Sequence, residues 1–295
     1  MGDQGWRRED RGRGARGSRL LPVALVTLLA LAAATARAEG RTVLSADLYA
    51  RWNPLGLTAS LEAARRWDRP DGEGPLLRGR YLRAGAALSV NPAWAQAGPR
   101  VEWVPWAPLQ LAAGYDLFGF FGAYGTLLRL PSDRAPFGRS ALDALSGEEQ
   151  SGLAQRLFVE PTLRARVGRV LLRSANALAA YRLAGRAGTY YESEYDTLLR
   201  ERDLLFHSRT TLTAELEREG AGASLLVGPA YEYTRAARTG VERQRLGALL
   251  YWVPAARGLG LDRPRLLLFG GVDLVDRNRR GEPFGVVGLG GDLDL

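Results

Sequence analysis

The chain has 295 residues, 46% of them hydrophobic and 24% charged, a balance that excludes both a disordered tail and a bundle of membrane helices. It contains no Cys, no Lys and no Ile, and a single His, His207, so disulfides, thiolate chemistry and any metal site built on two imidazoles are excluded. The formal charge of +8 divides into seven Arg against three acids over residues 1–38 and 33 Arg against 29 acids beyond; this scatter forms no phosphate-binding patch and makes nucleic acid a poor partner.

Arg7, Arg8, Arg11, Arg13, Arg16 and Arg19 precede an apolar run from Leu20 to Ala36, and Ala36-Arg37-Ala38 places small residues at a signal-peptidase spacing. Residues 1–38 therefore read as a cleavable export signal, with a single-span anchor or a glycine-arginine tail as competing readings. Residues 39–295 would form one exported domain.

Past Gly40 no apolar run has the length of a membrane helix, so a membrane crossing would have to be made by strands. Side chains of a barrel strand alternate between lipid and lumen, and the sequence alternates accordingly. Over 42–53, Leu44, Ala46, Leu48, Ala50 and Trp52 oppose Ser45, Asp47, Tyr49 and Arg51. The same split runs through 55–67, which puts Glu62 on the polar face, and through 81–90, which adds Arg83. Residues 93–105 add Arg100 and Glu102, and residues 109–118 add Asp116. A polar stretch with Pro131, Pro136, Gly138 and Gly147 reads as one large loop at about 119–155, with a short helix near Ser140–Leu145.

Alternation resumes over 156–168, with Glu160, Arg164 and Arg166 on the polar face. Residues 170–183 are irregular, because apolar residues fall on both faces, and 184–202 is a Tyr-rich connection. Residues 203–218 set Leu204, Phe206, Leu212 and Leu216 against His207, Arg209, Glu215 and Glu217. Segments 223–234, 244–253, 265–276 and 283–295 complete twelve. The lengths of the first three connections fit a short-turn, long-loop rule poorly, which leaves the strand count over 42–105 open.

Alternation alone also suits a soluble sandwich. Against it stand the nearly unbroken apolar faces and aromatics near strand ends, namely Trp52, Trp67, Trp103, Trp106, Tyr251 and Trp252. The expected fold is all-β: a transmembrane antiparallel up-and-down barrel of about twelve strands, closed by the C-terminal strand and facing the lipid bilayer. The closing segment, Phe284-Gly-Val-Val-Gly-Leu-Gly-Gly-Asp-Leu-Asp-Leu295, resembles the terminal strand of bacterial outer-membrane β-barrel proteins, a porin-like class. That resemblance implies an outer-membrane location in a Gram-negative bacterium and recognition of Phe284–Leu295 by the barrel assembly machinery. Leu295 stands where that class usually ends in an aromatic residue.

The expected lumen carries Arg51, Arg83, Arg100, Arg164, Arg166 and Arg209 beside Glu62, Glu102, Glu160 and Glu215. Two functions follow from it. In one, these charges select small hydrophilic solutes in a passive channel. In the other, they are a salt-bridged filling of a non-conducting scaffold whose loops bind at the surface. No cofactor or metal is expected, and catalysis is not, with a membrane-embedded hydrolase centred on His207 as the remaining alternative. His207 and Ser208 are adjacent in a strand and so point to opposite faces, which prevents a dyad between them.

Overall fold

The computed structural model describes residues 40–183, 187–218, 223–254 and 261–295, with the side chains of 217 and 218 left out. The expected export signal lies outside the described residues. In chain order, strands β1 (Arg41–Trp52), β2 (Gly56–Asp68), β3 (Tyr81–Val90), β4 (Trp94–Trp106) and β5 (Leu109–Phe121) run up and down. The long connection holds β6 (Arg129–Leu130) and a helix, α1 (Arg139–Asp143). After β7 (Ser151–Val167) and β8 (Val170–Leu183) comes a second connection with β9 (Thr189–Glu192) and β10 (Thr197–Arg200). The last strands are β11 (Arg202–Arg218), β12 (Ser224–Ala236), β13 (Glu242–Val253), β14 (Arg265–Val275) and β15 (Pro283–Asp294).

Among the described residues, twelve strands join as a closed antiparallel barrel, each beside its chain neighbour, and β15 closes on β1 from Val43↔Asp294 to Trp52↔Gly285. Strands β6, β9 and β10 form a separate small sheet. The barrel is one closed sheet, so the sandwich reading is set aside. Closure removes every free edge, which an open sheet in lipid could not tolerate.

The first four strands are present as the alternation places them. Their unusual connections are real features with local causes. Asn91 Oδ1 accepts the N–H groups of Ala93 and Trp94, both at 2.8 Å, and so tightens the β3–β4 turn. The longer β2–β3 connection is stapled by Arg69 N–H to the Arg80 carbonyl at 2.8 Å and by Arg80 to the Pro70 carbonyl at 2.8 Å. The large loop is shorter than the expected 119–155: β5 continues to Phe121 and β7 begins at Ser151, pairing Phe121↔Ser151. Polar residues such as Ser151 and Gln155 hid that extension in the sequence. The helix sits at Arg139–Asp143, one to two residues before its expected place.

Outward positions carry the apolar face. Leu61, Leu163 and Leu289 are 50%, 56% and 54% exposed, in a belt that includes Leu48, Leu88, Leu178, Leu212, Leu246 and Leu268. So continuous an exposed apolar surface is stable only against hydrocarbon. Trp52, Trp106 and Trp252 are exposed at strand ends, as an interfacial girdle requires. Two expected girdle members differ: Trp67 is buried, and Tyr251 faces inward, level with Leu267. Tyr251 follows Leu249 and Leu250 in an all-apolar stretch whose parity the sequence does not reveal.

Glycine on β15 makes room inside. Gly290 faces the lumen opposite Asp47, and a Cβ there would lie 2.0 Å from Asp47 Oδ1. The space goes to an ion pair, with Arg265 contacting Asp47 at 2.8 Å and Asp292 at 3.0 Å.

Candidate functional site

The barrel end opposite the chain termini is filled by its own loops. Tyr190, Leu199 and Leu127 of the connections pack with wall residues Trp94, Phe118, Phe120, Tyr181, Leu183 and Leu205. A second apolar layer joins Leu128, Leu130, Phe137, Tyr191, Leu198 and Val241. Phe118 stacks on Phe120 with ring centroids 5.8 Å apart, and Trp94 meets Phe118 edge-on at 5.6 Å.

The β9–β10 hairpin anchors this cap. Glu192 shapes its turn by accepting the N–H groups of Glu194 and Tyr195, both at 2.8 Å. Burial, with the neighbouring Glu194, pushes the Glu192 carboxyl up to about 7. Asp196, with a left-handed φ of 51°, turns its carboxylate to Arg243 at 2.7 Å, Arg279 at 2.8 Å and the Tyr191 hydroxyl at 2.7 Å. Burial works against its ionisation, but Arg243 and Arg279 outweigh that and hold Asp196 below the usual carboxylate range. Arg156 of β7 bridges Asp116 at 2.8 Å and Glu194 at 2.7 Å, and Arg51 of β1 donates to the carbonyls of Ser193 at 2.5 Å and Glu194 at 2.6 Å. The hairpin tip is therefore gripped by arginines from opposite sides of the wall.

Beneath the tip lies a luminal cavity of about 510 Å³. Arg51, Arg100, Arg209 and Glu160 of the expected luminal set line it, together with Tyr195, His207 and Arg173. The other six expected residues face inward nearer the chain termini. Arg83 pairs with Glu62 at 3.1 Å, Arg166 pairs with Glu215, Tyr81 donates to Glu102, and Arg164 donates to Gln110. Arg209 binds Glu232 at 2.6 Å. Arg100 stands 3.6 Å from Asp116.

Several residues of this candidate site were missed in the sequence. Arg156 opens the expected strand 156–168 but was not assigned to the site; Glu232, Arg245, Arg265 and Asp273 sit in segments recognised as strands whose faces were not separated; and Arg243 lies one residue ahead of the expected 244–253, in a strand that begins at Glu242. Arg245 and Arg243 share Asp273, at 2.9 and 2.7 Å. A β-bulge at Gln244/Arg245 obscures their parity. Arg173 was lost because β8 shows polar Ser174 and Asn176 on its outer side and Ala175, Ala177 and Ala179 on its inner side, which inverts the usual contrast.

His207 Nδ1 lies 2.9 Å from Thr234 Oγ1, and its ring is 5.0 Å from that of Tyr195. Ser208 is on the other face and donates to Asn176 at 2.8 Å. Glu215 accepts from Arg166 and from Ser224 at 3.3 Å, while the Glu217 side chain lies outside the described residues. Among the described residues no three His, Asp or Glu side chains gather as metal ligands.

No family model matches the chain, and no curated protein matches it. Among solved structures it is similar to the β domain of the Bordetella autotransporter BrkA, at 11% identity over 85% of this chain and 98% of that one, with a TM-score of 0.47. The translocator domain of the autotransporter NalP from Neisseria meningitidis is 12% identical over 93% and 96%, with a TM-score of 0.38. Outer-membrane expressed OmpT of Vibrio cholerae is 10% identical over 87% and 96%, with a TM-score of 0.36. The structural neighbours of this closed twelve-stranded barrel are bacterial outer-membrane β-barrels, drawn from more than one subfamily.

Proposed function

We propose that the protein is an outer-membrane barrel of a Gram-negative bacterium that does not conduct at rest, with its termini toward the periplasm and its cap at the cell surface. In this reading residues 1–38 export the chain, Phe284–Leu295 addresses it to the barrel assembly machinery, and the capped loops present a rigid outer surface. It is preferred over a passive channel for small hydrophilic solutes. The supporting observation is the β9–β10 hairpin, drawn into the mouth by Arg51, Arg156, Arg243 and Arg279. Charge-assisted contacts in a dry site of this kind hold a loop far more firmly than surface ion pairs do. No reaction is assigned to the chain.

Planar-bilayer conductance tests the proposal. The wild-type barrel should stay silent, and replacing residues 189–200 by a short Gly-Ser linker should give discrete steps proportional to salt. Steps of full size from the wild-type barrel would restore the passive channel.

A further inference from the structure

Arg164 on β7 and Arg173 on β8 are direct partners across the strand pair, and neither meets a carboxylate among the described residues. Arg164 donates to the neutral Gln110, and its Nε is buried without a partner. Arg173 makes no hydrogen bond or ion pair among the described residues and projects, exposed, into the luminal cavity. Like charges placed directly opposite each other destabilise a strand pair unless something neutralises them. Among the described residues the neighbouring luminal arginines each have an acidic or backbone-carbonyl partner in contact, whereas this couple has none, and Glu160 is the leading charge acting on Arg173.

The complementary charge is close by. Glu160 also lines the cavity and, among the described residues, has neither a hydrogen bond nor an ion pair. Val159 pairs with Leu178 and Thr162 with Ala175, which sets Glu160 level with Ala177. Arg173 is four residues from Ala177 along β8, about 13 Å at roughly 3.3 Å per residue. Between the two charges the β8 wall is hollowed by the small side chains of Ala175 and Ala177; on β11, Arg209, held by Glu232, is level with Ala175 and His207 is level with Ala177, and Tyr195 covers His207 from the cap.

We propose that this recess binds a small zwitterion of ω-amino-acid or dipeptide length. Its carboxylate is held by Arg173 at the floor of the cavity, where Arg164 lies directly alongside as the cross-strand neighbour, and its ammonium is received by Glu160. A simple anion would contact the arginines alone, whereas a zwitterion offers each of the three groups an opposite charge. A volume of about 510 Å³ suits a ligand of that size.

The test is isothermal titration calorimetry at low salt on the full chain folded in detergent, using 6-aminohexanoate, hexanoate, hexylamine and inorganic phosphate as probes. The site should bind 6-aminohexanoate at least tenfold more tightly than either hexanoate or hexylamine. Glu160→Gln should erase the advantage over hexanoate, and Arg173→Gln should weaken both carboxylates at least tenfold. Arg173→Lys, which keeps the charge, should restore part of the loss, and the heat-modifiable electrophoretic shift should certify the fold of each variant. The proposal is overturned if no probe binds, if phosphate or hexanoate binds as tightly as 6-aminohexanoate, or if correctly folded Arg173→Gln binds like the wild type. Conductance plays no part in this readout, so its outcome is separate from that of the closed-barrel reading.

Discussion

Arg156 and Glu194 meet at 2.7 Å across the inner mouth of the barrel, where the same guanidinium also holds Asp116 at 2.8 Å. Arg156 is buried, and Phe118 and Phe158 lie under its charge at 5.0 and 5.6 Å. One side chain thus couples the wall to the cap. Removing it leaves Glu194 without its ion pair and the fully buried Asp116 with only the looser Arg100 contact at 3.6 Å, and poorly compensated buried charge is costly.

Arg156→Met is therefore expected to destabilise the barrel by about 3–5 kcal/mol. Glu194→Gln, which leaves the Asp116 pair intact, should cost about 1 kcal/mol. The check is urea unfolding in lipid vesicles followed by tryptophan fluorescence. Equal losses for the two variants would mean that the Glu194 contact carries the whole effect of Arg156 and that its pair with Asp116 adds nothing.

Glu192 gives the cap a pH dependence of definite sign. Its carboxyl is raised by burial and by Glu194 to about 7, above its unfolded value, so the folded hairpin binds the proton more tightly. The resulting stability is fully present below the unfolded value of 4.5 and is lost as pH rises through about 7. Asp196 acts in the opposite sense. Its carboxyl is depressed below 3.8, and its contribution disappears only in stronger acid. Hairpin amides should accordingly exchange faster at pH 8 than at pH 5 after correction for intrinsic rates. Glu192→Gln should remove that difference, and an unchanged difference in the variant would assign it elsewhere.

The barrel was legible because lipid imposes one rule on every strand. Leu44 to Trp52 or Leu109 to Leu117 keep an apolar side chain at alternate positions, and parity alone then placed Arg51, Arg83 and Glu160 inside. The cap was not legible. Its strands are two to four residues long, too short for a period to show. The importance of Asp196 depends on Arg279, 83 residues away, and that proximity exists only after closure. Arg173 was hidden for a third reason, since outward Ser174 and Asn176 break the contrast that parity relies on.

Those outward polar residues lead to a last prediction. Ser174, Asn176, Ser208 and Thr210 lie on the outer face near the middle of β8 and β11 and satisfy one another. Ser208 donates to Asn176 at 2.8 Å, Asn176 donates to Ser174 Oγ at 3.2 Å, and the Ser174 and Thr210 hydroxyls are 3.0 Å apart. Within hydrocarbon each group depends on its partner, so Ser208→Ala should destabilise by about 1–2 kcal/mol by leaving the Asn176 carbonyl unpaired. Replacing the whole cluster, with Ser174→Ala, Asn176→Leu, Ser208→Ala and Thr210→Val together, removes donors and acceptors alike and should be neutral or stabilising. Vesicle unfolding of both variants separates the alternatives. If the quadruple variant unfolds more easily than Ser208→Ala, the cluster is engaged by something beyond the barrel's own side chains, and its outer face contacts a partner instead of lipid alone.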